Sequence, residues 1–245
     1  MRAMIFAAGL GTRLRPLTDT RPKALVEVGG RPLLDIVAGR LVQAGVSSLV
    51  VNVHHFAEMV KAHLQASDYH VPVAVSDESR QLLDTGGGVL AARPLLEGDG
   101  RFLIHNVDIL SNLDIRAFGE AARPDALATL VVSRRETSRY LLFDDDMRLA
   151  GWTNVRTGEV RSPFPDLDPA ACRRLAFAGI HLLSDRIFEL MSGRYVPGEA
   201  FPIMDFYLSV AAEHPIYGYV PEDLRLLDVG RPETLEEAAA FISNI

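Results

Sequence analysis

Near the beginning of the chain, glycines and cations are arranged in the way that binding of a polyphosphate requires. Gly9 and Gly11 follow an apolar run, and the cationic residues Arg13, Arg15 and Lys23 come soon after them. Glycines let backbone N–H groups approach phosphate oxygens, and guanidinium and ammonium groups neutralise phosphate charge. Because these cations repel one another unless an anion lies between them, the segment predicts a polyphosphate-binding loop.

Two familiar phosphate-binding motifs do not fit this loop. The dinucleotide fingerprint requires a third glycine, but that position is Leu14, and the Walker motif requires a Gly-Lys-Ser/Thr triplet, which is missing. A glycine turn between a strand and a helix is also common in α/β proteins without any ligand. Such a turn needs no cations, however, so the cluster favours a functional loop.

Two aspartates farther along the chain are candidate metal ligands. Asp108 follows the apolar run 102–107, and Asp228 lies in the run 226–230. Mg²⁺ favours oxygen ligands and usually takes one or two carboxylates together with substrate phosphates. Taken alone, each aspartate would more often be a helix cap or a turn residue.

Composition indicates one large α/β domain over residues 1–245. The hydrophobic content of 48% supports a substantial core, and the net charge of −7 argues against a nucleic-acid partner. A single cysteine, Cys172, excludes an internal disulfide. No segment has the features of a signal peptide or the apolar length of a membrane span. We therefore expect a cytoplasmic protein without a membrane partner.

The elements that must position these residues alternate between strands and helices through residue 134. The predicted strands are 3–8, 48–53, 71–75, 102–107 and 126–133, and the predicted helices are 33–44, 56–64 and 85–93. This alternation predicts a Rossmann-like α/β fold, a mixed and mostly parallel sheet flanked by helices. Ligands bind beyond the carboxyl ends of such strands, where the glycine loop and Asp108 fall.

The pattern changes after residue 140. The short runs 140–143, 148–153 and 159–161 are typical of small antiparallel hairpin insertions, which we expect to be laid over the sheet. The remaining predicted elements are a strand at 175–183, helices at 185–191 and 203–214, strands at 216–220 and 225–229, and a helix at 232–243.

The loop and the aspartates together resemble the signature of the nucleotide-sugar pyrophosphorylases, the sugar-1-phosphate nucleotidyltransferases. That signature reads A-A-G-x-G-x-R, then P-L-T, then P-K, then G-x-P-L. Here it is matched by Ala7–Arg13, Pro16–Thr18, Pro22–Lys23 and Gly30–Leu33. The later family pattern D-V-G-x-P-E is matched by Asp228–Glu233.

The resemblance implies a GT-A-like fold and a reaction between a nucleoside triphosphate and a sugar-1-phosphate, which yields a nucleotide-sugar and pyrophosphate. It implies Arg13, Lys23 and Asp108 as catalytic residues, and Mg²⁺ as the cofactor, held by Asp108 and Asp228. One position departs from the family pattern, because Val107 stands where a glycine usually precedes the first aspartate.

The resemblance also implies how the nucleotide is held. The implied nucleotide-binding residues are Ala8, Gly9, Gly11, Thr12, Arg13, Gln81, Thr85, Gly86 and Asn106. Gln81 precedes Thr85 by four residues, at a position that can hydrogen-bond a base edge. Because an amide offers both a donor and an acceptor, Gln81 suits uracil or thymine, and guanine stays open.

The sugar-binding residues are implied by two later segments. Ala178–His181 resembles the family's strand on which a glycine, here Gly179, lies close to the sugar. Trp152 and Asn154 belong to the predicted hairpins, which we expect to cover the sugar pocket. A sole tryptophan, though, is more often a packing residue.

Within the family, the length of the chain and the loop Thr85–Gly88 most resemble the N-acetylmuramate-1-phosphate uridylyltransferases of cell-wall recycling. Mannose-1-phosphate guanylyltransferases come second, and thymidylyl- and cytidylyltransferases rank lower. A non-catalytic regulatory protein that binds nucleotide-sugars is the alternative of a different class. We expect a monomer or a small homo-oligomer, without the hexapeptide-repeat extension that some family members carry.

Overall fold

The computed structural model describes residues 1–244 as a large mixed sheet with helices on both faces. The strands are β1 (Arg2–Phe6), β2 (Glu27–Val28), β3 (Arg31–Pro32), β4 (Ser48–Val53), β5 (Val73–Asp77), β6 (Arg101–Asn106), β7 (Ile109–Ser111), β8 (Ala128–Ser133), β9 (Arg139–Phe143), β10 (Leu149–Asn154), β11 (Glu159–Arg161), β12 (Arg173–Ser184), β13 (Ile216–Tyr219) and β14 (Leu226–Asp228). The prediction of one domain over residues 1–245 stays a prediction, and Ile245 lies outside the described residues.

Eight α-helices are present in the described part of the chain. They are α1 (Leu33–Gln43), α2 (Ala57–Ala66), α3 (Asp84–Ala91), α4 (Arg93–Leu96), α5 (Ile115–Ala121), α6 (Ile187–Ser192), α7 (Ile203–Val210) and α8 (Glu233–Ile242). Within residues 1–244, no helix combines the length and the apolar character needed to cross a membrane.

The centre of the ten-stranded sheet is parallel, as the alternation of elements predicts. β1 pairs in parallel with β4 on one side and with β6 on the other, and β5 extends the sheet beyond β4. Apolar side chains on both faces of β1 allow this central position, because a strand between two layers of helices is buried on both sides. The three carboxyl ends of β1, β4 and β6 therefore meet at one edge.

Two hydrophobic cores lie on the opposite faces of this sheet. Along β1, Ala3 and Ile5 belong to one core, whereas Met4 between them belongs to the other. Helices α1, α2 and α5 cover the first core, and α3, α6 and α7 cover the second. The period of two along the strand sends alternate side chains to opposite faces. The prediction of helices flanking a mixed sheet is thus confirmed.

The longest strand, β12, joins the two parts of the sheet. Its carboxyl-terminal half pairs antiparallel with β6, and its amino-terminal residues pair antiparallel with β9. On its other edge it pairs with β8, which in turn carries β13. β6 and β9 therefore follow one another along β12, and a gap separates the end of β6 from the beginning of β9.

The hairpin strands differ from the prediction in their placement. They are antiparallel, as expected, but they are not laid over the sheet: β9, β10 and β11 continue it edge to edge from β12. The physical reason is that the amino-terminal part of β12 extends past β6 and offers unpaired backbone groups, which β9 satisfies. In addition, the second helix predicted after the hairpins ends earlier than expected, at Val210.

Candidate active site

A cleft of about 600 Å³ opens at the carboxyl ends of β1, β4 and β6. Its walls combine the glycine loop, the end of β6 with Asp108, and the beginning of α3. A cleft of this size suits a small-molecule ligand. The sequence placed the loop and Asp108 at such an edge, and the structure brings them together there.

Gly11 sets the shape of the phosphate loop. Its φ of 63° lies in the left-handed region, and it precedes the short 3₁₀ turn Thr12–Leu14. A Cβ at this position would lie 2.9 Å from Thr18 Cγ2, and the Thr18 hydroxyl donates to the Gly11 carbonyl at 2.8 Å. Since other residues rarely adopt this backbone and would collide here, the tight turn requires a glycine.

Lys23 reaches the cleft from the third 3₁₀ turn of the chain, Lys23–Leu25, which Pro22 precedes. Its ammonium group is buried and donates to Asp108 Oδ2. A carboxylate partner is what a buried ammonium requires, because burial of an unpaired charge is costly. The pair places a cation beside the carboxylate that follows β6, on the floor of the cleft.

Asp108 and Asp228 come from distant parts of the chain and meet through strand pairing. β7 and β14 pair antiparallel, with Asp228 opposite Ile109, and the Val229 N–H donates to the Asp108 carbonyl at 2.8 Å. Arg13 Nη1 lies 4.0 Å from Asp228 Oδ2, so the phosphate loop also reaches this second aspartate.

The aspartate pair has the chemistry of a divalent-cation site. Asp228 Oδ1 is buried and has no hydrogen-bond partner among the described residues. Buried oxygens of this kind normally have a partner, so a cation would satisfy it. Residues 1–244 contain no group of three acidic, histidine or cysteine ligands suited to a metal. A cation held by these aspartates would therefore need further oxygens, which substrate phosphates and water can supply.

A buried hydrogen-bond network links the phosphate loop to the second loop of the cleft. The Ala7 N–H donates to Asn52 Oδ1 at 2.7 Å, and Asn52 Nδ2 donates to Glu78 Oε1 at 2.8 Å. Glu78 Oε2 accepts from the Leu83 N–H at 3.1 Å. Burial raises the pKa of Glu78, and the bonds from Asn52 and Leu83 oppose that shift.

Sequence reasoning missed Asn52 and Glu78, although both line the cleft. A signal was available, because Asn52 lies near the end of β4 and Glu78 follows β5. Polar side chains at the carboxyl ends of parallel strands are candidates for a ligand-binding edge.

The predicted base-binding residues fall in different places. Thr85 lines the cleft, and its Oγ1 accepts from the Ile203 N–H at 2.9 Å. Gly86 packs away from the cleft lining, with its N–H donating to the Phe201 carbonyl at 2.8 Å. Gln81 is exposed and precedes Leu82, which lines the cleft.

Gly179 of β12 lies at the gap between the end of β6 and the beginning of β9. Its φ is 74°, and a Cβ there would lie 2.8 Å from Nδ2 of Asn106, which lines the cleft. The glycine thus allows β12 to pass close to Asn106. The predicted sugar residue Gly179 and the predicted nucleotide residue Asn106 are neighbours in the structure.

Trp152 and Asn154 lie on β10, outside the residues that line the cleft. Trp152 packs against the second core, with the Arg161 guanidinium 5.9 Å from its ring centre. Asn154 is buried, and its Oδ1 accepts from the Arg156 N–H at 3.1 Å in the following turn. Both side chains, on β10 and across the gap from β6, therefore have local structural partners.

Val107, where the family usually has glycine, is accommodated without strain. Its N–H donates to the Phe6 carbonyl at 3.2 Å, which continues the parallel pairing of β6 with β1. Val107 has no positive φ, so the backbone here does not need glycine's freedom.

A GT-A-like fold with a phosphate loop, a buried lysine and paired aspartates at one cleft defines a nucleotidyltransferase. The family model described as "Nucleotidyl transferase" matches residues 2–244. The chain belongs to this family and is a sugar-1-phosphate nucleotidyltransferase.

Two of the similar proteins are a uridylyltransferase and a guanyltransferase. The chain is 36% identical over 251 residues to N-acetylmuramate alpha-1-phosphate uridylyltransferase of Caulobacter vibrioides, which covers 99% of this chain and 97% of that protein. It is 27% identical over 241 residues to mannose-1-phosphate guanyltransferase of Candida albicans, which covers 95% of this chain and 62% of that protein.

The fold has a solved counterpart. UDP-glucose pyrophosphorylase complexed with UDP-glucose superimposes with a TM-score of 0.77 over 100% of this chain and 99% of that chain. The sequence identity is 16%, so this likeness concerns the fold.

Proposed function

We propose that the chain is a uridylyltransferase that converts UTP and N-acetylmuramate-1-phosphate into UDP-N-acetylmuramate and pyrophosphate. The observation that carries the nucleotidyl transfer is the cleft lined by Arg13, Lys23 and Asp108, with Asp228 4.0 Å from Arg13. The choice of uracil and of the sugar is supported by the likeness to the Caulobacter vibrioides enzyme over nearly the full length of both chains.

The proposed reaction is an in-line displacement at the α-phosphorus of UTP. An oxygen of the sugar phosphate forms the new bond to the α-phosphorus. The bond between the α-phosphorus and the α–β bridging oxygen breaks, and its electron pair leaves with pyrophosphate. Because the attacking phosphate is already an anion, the protein needs no nucleophile of its own. Catalysis is then positioning and charge stabilisation.

Arg13 and Lys23 have different roles in this proposal, because they lie at different positions in the cleft. Arg13 binds the triphosphate together with Ala8, Gly9, Gly11 and Thr12 in the loop. Lys23 leaves part of its interaction with Asp108 to contact the α-phosphate and the sugar phosphate, where negative charge accumulates during transfer. This division is supported by their different partners, because Arg13 lies beside Asp228 and Lys23 lies beside Asp108.

The two aspartates would hold Mg²⁺, and the unpartnered Asp228 Oδ1 supports that role. When bound, the cation supplies neutralisation of the phosphate charge. Asp108 has a second task, because it holds the Lys23 ammonium at the reaction centre.

The base and the sugar occupy opposite ends of the cleft in this proposal. Thr85 and Gln81 with the backbone of the second loop contact the base, Asn106 contacts the ribose, and Gly86 fixes the loop against Phe201. Gly179, Trp152 and Asn154 belong to the sugar end. A role in cytoplasmic cell-wall recycling follows from this substrate pair. Guanylyl transfer to mannose-1-phosphate is the second candidate, favoured by the 27% identity to the Candida albicans enzyme.

A pyrophosphate-release assay tests the proposal. The purified chain is combined with Mg²⁺, each of the common nucleoside triphosphates and a panel of sugar-1-phosphates. We expect the fastest release with UTP and N-acetylmuramate-1-phosphate. Faster release with GTP and mannose-1-phosphate would favour the second candidate. No release with any pair would favour a non-catalytic regulatory protein.

A further inference from the structure

The acceptor end of the cleft is defined by the gap between β6 and β9. β6 ends at Asn106, and β9 begins at Arg139, in register with Asn154 of β10. Between them β12 passes through Gly179, next to Asn106. A sugar whose phosphate lies at Asp108 would extend into this gap, and the residues at the start of β9 lie beside it.

An arginine side chain is hydrogen-bonded to β12 close to this gap. The connection from β8 to β9 carries Arg135, whose Nη2 donates to the Phe177 carbonyl at 3.0 Å. Phe177 precedes Gly179 by two residues on β12. The hydrogen bond holds the guanidinium near the gap and leaves its other N–H donors available.

Neither Arg135 nor Arg139 is neutralised by the protein. Among residues 1–244, no carboxylate lies within 4 Å of either guanidinium. The nearby Arg161, by contrast, pairs with Asp205 at 2.8 Å, and Arg173 pairs with Asp145 at 3.5 Å. Two unneutralised cations at the sugar end, in a chain of net charge −7, favour an anionic group on the acceptor.

The geometry points to a carboxylate-binding subsite formed by Arg135 and Arg139, which takes the lactyl carboxylate of N-acetylmuramate-1-phosphate. The inference rests on the proposed function and deepens it. A guanidinium matches the two oxygens of a carboxylate in a planar fork, and the match confers specificity as well as charge. Mannose-1-phosphate and N-acetylglucosamine-1-phosphate carry no carboxylate, so the subsite would select against both.

Two acceptors that differ only in the lactyl group provide the test. The ratio of kcat/KM for N-acetylmuramate-1-phosphate to that for N-acetylglucosamine-1-phosphate is measured with UTP in the wild type. The same ratio is measured in Arg135→Gln, Arg139→Gln and Arg135→Lys. Arg134→Gln is the matched control, since Arg134 is adjacent but lines a separate cavity.

We expect each glutamine variant to lower the ratio by about 10-fold, the loss typical of one charge-assisted hydrogen bond. Arg135→Lys should keep part of the preference, and Arg134→Gln should leave the ratio unchanged. Turnover of N-acetylglucosamine-1-phosphate in the same variants reports intact folding.

The outcomes distinguish an error in the proposed subsite from an error in the proposed function. If the wild type prefers N-acetylmuramate-1-phosphate and the variants keep that preference, the subsite is wrong and the proposed function stands. If the wild type shows no preference for the acidic sugar, both are wrong.

Discussion

The two ends of the cleft are built in different ways. At the nucleotide end, loops follow parallel strands and are fixed by buried hydrogen bonds, such as those of Asn52 and Glu78. At the sugar end, antiparallel strands meet β12, and the charged residues Arg135 and Arg139 are exposed. The first end is held by buried hydrogen bonds, whereas the second presents exposed charged side chains.

The difference indicates which end of the cleft determines the reaction and which end selects the acceptor. Phosphate transfer needs fixed donors at fixed distances, because charge stabilisation depends on preorganisation. A sugar can be exchanged for another by changing exposed side chains without disturbing that frame. We therefore expect changes at the nucleotide end to affect turnover, and changes at the sugar end to affect which acceptor is used.

The largest effect is expected from Lys23→Ala, which removes the buried cation at the reaction centre. We expect kcat to fall about 100- to 1,000-fold, as for loss of a donor to the developing charge. UTP affinity should change far less, because Arg13 and the loop backbone remain. Steady-state pyrophosphate release and calorimetric titration of UTP measure the two quantities. Arg116→Ala is the control, since Arg116 is exposed on α5, outside the residues that line the cleft. Unchanged turnover in Lys23→Ala would show that the lysine is structural.

A smaller effect is expected from Asp228→Asn, which keeps the size of the side chain and removes one charge. We expect turnover at fixed Mg²⁺ to fall by about 10- to 100-fold and to recover in part at higher Mg²⁺, because a neutral amide binds the cation more weakly. Turnover measured across a series of Mg²⁺ concentrations tests this. Asp223→Asn, in the connection before β14, should leave the curve unchanged. A Mg²⁺ curve in Asp228→Asn that coincides with the wild type would exclude Asp228 as a ligand.

The nucleotide end was largely predictable from sequence, since its chemistry is local. The spacing of Gly9, Gly11, Arg13 and Lys23 indicated a phosphate loop, and the structure places all four at the cleft. The pattern of apolar residues also predicted the bounds of β4 correctly, at Ser48–Val53. Backbone freedom, charge spacing and strand period are properties of short segments, so they can be read without a fold.

The sugar end was less predictable, because it depends on which strands become neighbours. Periodicity indicates a strand and its faces but not its partner, so the hairpins were wrongly expected over the sheet. Arg135 meets Phe177 only because β8, β9 and β12 assemble with a particular register. Such contacts are set by the whole sheet.

Glu78→Gln tests the buried hydrogen-bond network of the nucleotide end and should have a moderate effect. Asn52 Nδ2 and the Leu83 N–H donate to different oxygens of Glu78. In a glutamine one of these oxygens is replaced by an NH2 group, which cannot accept, so one of the two donors loses its partner. We expect the KM for UTP to rise roughly 10-fold, the loss from one unsatisfied buried group, with kcat within a few-fold of the wild type. Glu58→Gln, on the exposed face of α2, is the control. An equal fall in kcat with no change in KM would show that the network does not position the nucleotide.

The smallest effect concerns stability at the sugar end, where His181 lies beneath Phe177. Burial lowers the pKa of His181 to about 3, and its Nδ1 is hydrogen-bonded to the Tyr207 hydroxyl at 2.6 Å. The unfolded chain takes up a proton near pH 6.5, whereas the folded chain does not until far lower pH. The free energy of unfolding should therefore fall as pH decreases from 6.5 towards 3. The contribution of His181 to this fall is at most about 1.4 kcal/mol per pH unit.

The measurement is urea unfolding between pH 7 and pH 5 in the wild type and in His181→Gln, whose amide can still accept from Tyr207. We expect the variant to show a shallower dependence on pH, with the difference being the contribution of His181. His105 is also buried, and burial lowers its pKa to about 4, so it should keep part of the slope in both proteins. Identical slopes would mean that His181 is protonated in the folded protein or already neutral in the unfolded one. Kinetic constants for UTP that do not change in His181→Gln would show that His181 affects stability without affecting nucleotide binding or turnover.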